Sequence, residues 1–244
     1  MTAPPFRLLA ITPPTGPVPA DSLDRWLAAG VAAPAIAVLL REPGRRAAEI
    51  LRPDARLAAL RRRCAAAGVP LLVSTDLAEL PDLDLPPDLA GLHLRGDPDP
   101  GALPAARARL ARPVPGDMSS RPARDPGDPA PLLGRSCHGA PQPGHRDVDY
   151  TLFAPVFAPT TAPAGKIPAG LTALRAWTRA PGARVFALGG VGPATAAACL
   201  AAGAWGLAGI GVFFGEPARV EQDVAALREF VAAHARHVEP VSPR

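Results

Sequence analysis

Eight short apolar runs, each close to a glycine or proline, recur along this chain. They are Arg7–Thr12, Pro34–Leu40, Pro70–Ser74, Gly91–Leu94, Pro131–His138, Asp149–Phe157, Arg184–Val191 and Gly206–Phe214. They show almost no alternation of polar and apolar residues. Strands of that kind are buried on both faces, which requires a parallel sheet covered by helices. Asp21–Gly30 opens on an Asp/Ser cap and closes on glycine, and Arg46–Gly68 sets apolar residues at helical spacing against arginines. Pro193–Ala202 starts on proline, and Ala218–His237 is an amphipathic closing helix. Eight such units in 244 residues predict an α/β fold, a closed (β/α)8 (TIM) barrel forming one domain over 1–244. Such barrels average roughly 250 residues. Residues 113–131, rich in Pro, Asp, Arg and Ser with no apolar period, read as a mobile surface loop. Only Gly139–Arg146 separates the fifth and sixth strands, too short for a regular helix, so the fifth helix is expected to be missing.

Composition excludes several classes of partner. Net charge is +4, spread without a basic block or interleaved aromatics, which argues against nucleic acid and leaves small anions as ligands. No apolar run approaches the ~18 residues of a membrane span, and the N-terminal Met1–Arg7 lacks the basic region of a signal peptide. The three cysteines, Cys64, Cys137 and Cys199, have no metal-binding spacing and cannot all pair, so a cytoplasmic setting is expected. A homodimer is left open.

The functional residues of a (β/α)8 barrel lie at the C-terminal ends of its strands. Here those ends carry Arg41, Asp76, Arg95 with Asp97, Ser136 with His138, the Thr160–Gly170 loop, Gly189-Gly190 and Gly209. The loop holds the chain's single lysine, Lys166, among 26 basic residues. A compact charge on a flexible stem suits a phosphate or a proton transfer, and Lys166, Thr160, Thr161 and Gly170 are candidate phosphate contacts. A GC-rich composition that leaves one lysine by chance is the alternative. Gly189-Gly190-Val191-Gly192-Pro193 joins a strand to a helix through glycines, and such a turn lets backbone N–H groups approach an anion. Other residues have two readings. Asp76 either caps the following helix or holds a metal. Arg41 either pairs with Glu42 at the surface or faces a phosphate. His93 reads as structural, and Cys137 as packed.

These residues resemble a family. Gly134-Arg135-Ser136-Cys137-His138, then Asp149-Tyr150 running into Ala154-Pro155-Val156-Phe157, then Ala187-Leu188-Gly189-Gly190-Val191, are similar to the ordered signatures of the thiamine phosphate synthase/TenI (thiazole tautomerase) family. Leu39-Leu40-Arg41-Glu42, Ser74-Thr75-Asp76 and Gly91-Leu92-His93-Leu94 fall where the earlier signatures belong. The resemblance implies a barrel that binds a phosphorylated thiazole in thiamine biosynthesis.

Two activities then compete. A synthase joins a pyrimidine diphosphate to thiazole phosphate with Mg²⁺, for which the resemblance offers Asp76 and Asp97 as ligands. Its Gln-x-Arg-x-Lys reads here as Leu39, Arg41 and Pro43, and its Thr-x-Thr-Lys as Pro159, Thr160, Thr161 and Ala162. A tautomerase moves a proton on a thiazole carboxylate phosphate without metal or cofactor. His138 matches the family's acid/base position, and histidine accepts and donates near neutrality. The departures favour the tautomerase, with Arg41, Ser136, Thr160, Thr161, Lys166, Gly170, Gly189, Gly190 and Gly209 holding the ligand. The synthase is the alternative. A non-catalytic, phosphometabolite-binding regulatory barrel is the alternative of another class.

Overall fold

In a computed structural model, residues 3–16, 18, 21–31, 33–83, 85–111, 129–144, 146–158 and 167–238 are described, the last three as backbone only. Eight parallel strands close in sequence order: β1 (Leu8–Ile11), β2 (Ile36–Leu40), β3 (Leu71–Thr75), β4 (Gly91–Leu94), β5 (Leu132–Cys137), β6 (Tyr150–Phe153), β7 (Val185–Ala187) and β8 (Gly206–Gly209). β1 pairs with both β2 and β8, which seals the barrel. The expected architecture is present.

The strands are apolar throughout because each side of the ring has its own core. Inside lie Phe6, Leu9, Leu39, Leu72, Tyr150, Leu152 and Phe186. Outside, Leu8, Val38, Leu40, Val73 and Leu92 of the same strands pack against the helices. Successive residues therefore alternate between two apolar environments rather than between core and water. A glycine shapes the interior. A Cβ on Gly134 would lie 2.1 Å from the Tyr150 ring, so its absence lets that ring cross the barrel and stack on His93, with centroids 5.5 Å apart.

The elements depart from the sequence reading in four places. The predicted helix over Arg46–Gly68 is two, α2 (Ala47–Ile50) and α3 (Ala58–Ala66), following α1 (Ser22–Ala28). Pro53 cannot donate a helical hydrogen bond and disfavours helical geometry at Arg52. α4 (Leu103–Leu110) and α5 (Gly170–Thr178) follow, neither anticipated, although Leu171, Leu174 and Trp177 recur at helical spacing. α6 (Pro193–Ala201) follows β7. The apolar run predicted as strand to Phe214 stops at Gly209 and turns into the one-turn helix α7 (Gly211–Phe214), before α8 (Pro217–Val238). Short apolar runs do not distinguish strand from helix by periodicity. Packing decides this one: Phe213 and Phe214 meet the Trp26 ring edge-on at 5.9 and 5.2 Å, and Trp26 Nε1 donates to the Phe213 carbonyl at 3.1 Å.

No helix lies between β5 and β6 among the described residues, as the spacing predicts. The Arg135 side chain, fully buried, occupies the outer layer there. It lies 5.7 Å from the Trp177 ring centroid and donates to the Gln142 carbonyl at 3.3 Å. Trp177 Nε1 donates to the Gly139 carbonyl at 2.9 Å, so two large side chains hold the connection where a helix would otherwise cover the sheet. Among the described residues no helix is long and apolar enough to cross a membrane. The predicted loop at 113–131 lies outside the described residues except for its last three.

Candidate active site

The C-terminal ends of the strands open into a cavity of about 1590 Å³. Its wall includes Arg41, Asp76, Arg95, Ser136, His138 and the turn from Gly189 to Ala194. Its floor reaches His93 and Ser74. Residues from five different strand ends, those of β2, β3, β4, β5 and β7, thus meet here because parallel strands all present the same end. Thr160, Thr161 and Lys166 lie outside the described residues.

Arg41 is positioned by its own backbone. Thr12, buried at the end of β1, donates its hydroxyl to the Arg41 carbonyl at 2.9 Å and accepts the Arg41 N–H at 2.8 Å. Glu42 pairs with Arg56 instead, so the predicted Arg41–Glu42 surface pair is not formed. The Arg41 guanidinium makes no hydrogen bond or ion pair among the described residues and lines the cavity. Burial, and secondarily the neighbouring Arg95 charge, lower its pKa from the ordinary arginine value.

Arg95 itself is already matched. Its Nε and Nη2 donate to the two carboxylate oxygens of Asp76 at 2.9 and 2.6 Å, and Nη2 also reaches Glu79 at 3.1 Å. Asp76 stands at the start of a 3₁₀ turn, yet its side chain makes no capping bond there. The capping reading of Asp76 is therefore replaced by an arginine clamp, which the sequence concealed because the partners are separated by 19 positions.

Asp97 has a comparable commitment. One carboxylate oxygen accepts the backbone N–H of His138 at 2.7 Å, and the other meets His138 Nδ1 at 2.8 Å. Asp97 holds a left-handed φ of 52°, uncommon for a residue with a Cβ, which points to a conformation the surroundings impose. The result is a carboxylate–imidazole pair: a hydrogen bond at Nδ1 leaves Nε2 as the nitrogen open to the cavity side. Cys137 is buried, and desolvation pushes its thiol up to about 12, in keeping with the packed reading.

The sequence-predicted metal ligands do not fit Mg²⁺ as they stand. Asp76 is clamped by Arg95 and Asp97 is spent on His138. Among the described residues no three His, Cys, Asp or Glu side chains gather to hold a metal. Mg²⁺ needs near-octahedral oxygen coordination.

The glycine turn behaves differently. Gly189 and Gly190 have φ of 94° and 62°, and a Cβ on them would meet Pro155 at 2.6 Å and Ala158 or Phe157 at 2.7 Å. Close packing on the segment after β6 therefore requires them. The N–H groups of Gly189, Gly190 and Val191 have no hydrogen-bond partner among the described residues, and all three residues line the cavity. The first turn of α6 adds its dipole and the Ala194 N–H, since Pro193 has none and the Thr195 N–H donates to the Gly192 carbonyl at 3.0 Å. Thr195 braces the turn by accepting the Gly192 N–H at 3.0 Å and donating to the Gly190 carbonyl at 3.0 Å. Gly209 lines the same wall, beside the start of α7. Gly170 does not: its N–H donates to the Val156 carbonyl at 3.1 Å, and it is absent from the cavity wall.

The floor was the least foreseen part. His93, read as structural, is buried but aimed inward, with Nδ1 3.0 Å from the Tyr150 hydroxyl and Nε2 2.9 Å from Ser136 Oγ. The alternation of β4, with Leu92 and Leu94 packed outside, was the signal that His93 faces the interior.

Comparison with known proteins agrees with this architecture. Residues 8–213 match the family model TMP-TENI, thiamine monophosphate synthase. The chain is 34% identical over 145 residues to the thiamine-phosphate synthase of Chloroflexus aurantiacus. That match spans 58% of this chain and 56% of the relative. A solved thiamine phosphate pyrophosphorylase from Pyrococcus furiosus superposes with a TM-score of 0.58 at 20% identity, covering 93% of this chain and 96% of that one. A second, from Bacteroides thetaiotaomicron, gives 0.54 at 17% identity, covering 93% and 98%. These two show a shared fold. The extent of the family match settles the wider kinship: the chain belongs to the thiamine monophosphate synthase (TMP-TENI) family.

Proposed function

We propose that this chain is a transferase of the thiamine phosphate synthase type, joining a pyrimidine diphosphate to a phosphorylated thiazole. The name of the similar Chloroflexus protein favours this over the tautomerase reading that the sequence departures suggested. The observation that carries it is a cavity with two separate arcs for anions. One is the Arg41 guanidinium at the end of β2, which has no partner among the described residues. The other is the set of N–H groups from Gly189 to Val191 after β7, likewise unpartnered among the described residues. Joining two phosphorylated substrates places one phosphate group on each arc.

In this reaction the thiazole nitrogen forms a bond to the pyrimidine methylene carbon. The carbon–oxygen bond to the diphosphate breaks, and the diphosphate leaves with the electron pair. The glycine turn orients the thiazole phosphate. Arg41 faces the negative charge that grows on the departing diphosphate, stabilisation that is strongest in a site shielded from water. Binding both reactants at one rim removes most of the entropic cost of their encounter.

The test is turnover. Purified protein given thiazole phosphate and hydroxymethylpyrimidine diphosphate should release diphosphate and form thiamine phosphate, and Arg41→Ala should lower the rate by about a hundredfold, as loss of one preorganised charge does. Absence of product overturns the reading.

The His138–Asp97 pair supports a second reading, proton transfer on a thiazole carboxylate phosphate. Under it the protein isomerises that single substrate without a pyrimidine, and His138→Ala abolishes the isomerisation. Ligand binding with neither turnover would leave the binding-only barrel.

A further inference from the structure

The cavity floor contains a hydrogen-bond chain whose polarity can be worked out from its first member. The Tyr150 side chain is buried, and among the described residues its hydroxyl has one hydrogen-bond partner, His93 Nδ1 at 3.0 Å. A buried phenolic O–H left without an acceptor is costly, so it donates to that nitrogen. Burial, with the nearby Asp149 charge, raises the phenol further above its ordinary range and keeps its proton on. Nδ1 is thus the acceptor nitrogen of His93. Burial, and then the Arg41 charge, push the imidazole down to about 3, so the ring is neutral and its one proton sits on Nε2. That N–H points at Ser136 Oγ, 2.9 Å away. The serine oxygen accepts it, and its own proton has no acceptor among the described residues. Ser136 lines the cavity, and the open direction for its O–H is the ligand.

We propose that Tyr150 and His93 are positioning residues that fix the Ser136 hydroxyl as a hydrogen-bond donor into the cavity, so that the bound ligand presents an acceptor there, an unprotonated ring nitrogen or an anionic oxygen. The stacked Tyr150 and His93 rings, and the gap left by Gly134, hold the relay in one geometry. The inference rests on the functional reading only in taking Ser136 as a substrate contact. The serine is neither a nucleophile activated by histidine nor an acceptor for a ligand N–H, because His93 supplies a proton to it and does not remove one.

Two measurements test this. In protein labelled with ¹⁵N-histidine, the His93 ring, assigned by its disappearance in His93→Gln, should show an unprotonated Nδ1 and a protonated Nε2. In Tyr150→Phe, which deletes the hydroxyl and keeps the ring, that single tautomer should give way to a mixture. A protonated Nδ1, or a mixture already present in the unmodified protein, overturns the relay. This arm does not depend on turnover, so it stands apart from any failure of the transferase reading. The second arm is a double-mutant cycle on the transfer reaction, with folding checked by circular dichroism. Tyr150→Phe should lower kcat about tenfold, corresponding to one hydrogen bond of about 1.4 kcal/mol. It should have almost no effect once Ser136→Ala is present, since residues acting through one group are not additive. Fully additive losses would mean that Tyr150 supports packing alone.

Discussion

At the scale of single residues, the positions of the chemistry were easier to read than its partners. Strand ends named Arg41, Ser136 and His138, and all three face one cavity. What they touch was hidden. Asp97, offered as a metal ligand only under the synthase alternative, holds His138, and Asp76, read as either a cap or a metal ligand, holds Arg95. A carboxylate's partner is chosen by tertiary neighbours, and no local pattern encodes a contact across 41 positions. His93 shows what such a neighbourhood does to stability. Its imidazole is lowered from the ordinary 6.5 to about 3, first by burial and then by Arg41. The sign follows. Between those two values the unfolded chain takes up a proton that the folded one excludes, so the folded state loses stability as pH falls through that window and loses nothing above it. The slope is up to about 1.4 kcal/mol per pH unit. Urea unfolding at pH 7, 6, 5 and 4 should therefore show a shallower acid decline for His93→Gln than for the unmodified protein, the other titrating groups being common to both. Parallel declines would show that His93 is not held neutral.

Among the elements, the strands were legible because burial on both faces leaves an unmistakable apolar run, whereas the helices that cover them were legible only in part: α1, α6 and α8 were read, α4 and α5 were not. α4 escaped notice although it anchors the least covered part of the ring. Arg107, on that helix, donates to Asp149 Oδ2 at 2.6 Å, and the same oxygen accepts the backbone N–H of Leu133 at 2.8 Å. Asp149 is 3% exposed. One carboxylate thus ties α4, β5 and the start of β6 together where the fifth helix is missing. Removing one partner of a fully buried pair costs about 3–5 kcal/mol. The Arg107 side chain keeps 28% exposure, which screens part of that, so Asp149→Ala should destabilise the fold by roughly 2–3 kcal/mol in urea unfolding. A loss under about 1 kcal/mol would show that the tie is not holding the elements together.

For the whole molecule, the barrel followed from counting strands, since eight buried parallel strands have few ways to hide both edges other than closing on themselves. The working surface could not be counted in that way. It arises because the ring sets the β2 end, with Arg41, and the β7 end, with its N–H groups, both without partners among the described residues, around one opening. Neither arc is itself made of carboxylates, although Glu216, just before α8, and Asp223, on it, also line the cavity. Asp76 and Asp97 are committed to Arg95 and His138, so anion binding here should depend on cations and backbone dipoles rather than on a bridging metal. Inorganic diphosphate is the simplest probe. A ligand at about a hundred times its Kd adds about 2.7 kcal/mol. For a chain of this size that raises Tm by roughly 5–10 °C. The rise should persist in excess EDTA and shrink to a small remainder in Arg41→Ala. A rise that appears only with added Mg²⁺ would mean that Asp76 leaves Arg95 when ligand arrives, and that the ion pair in the ligand-free fold is a resting arrangement of a metal site.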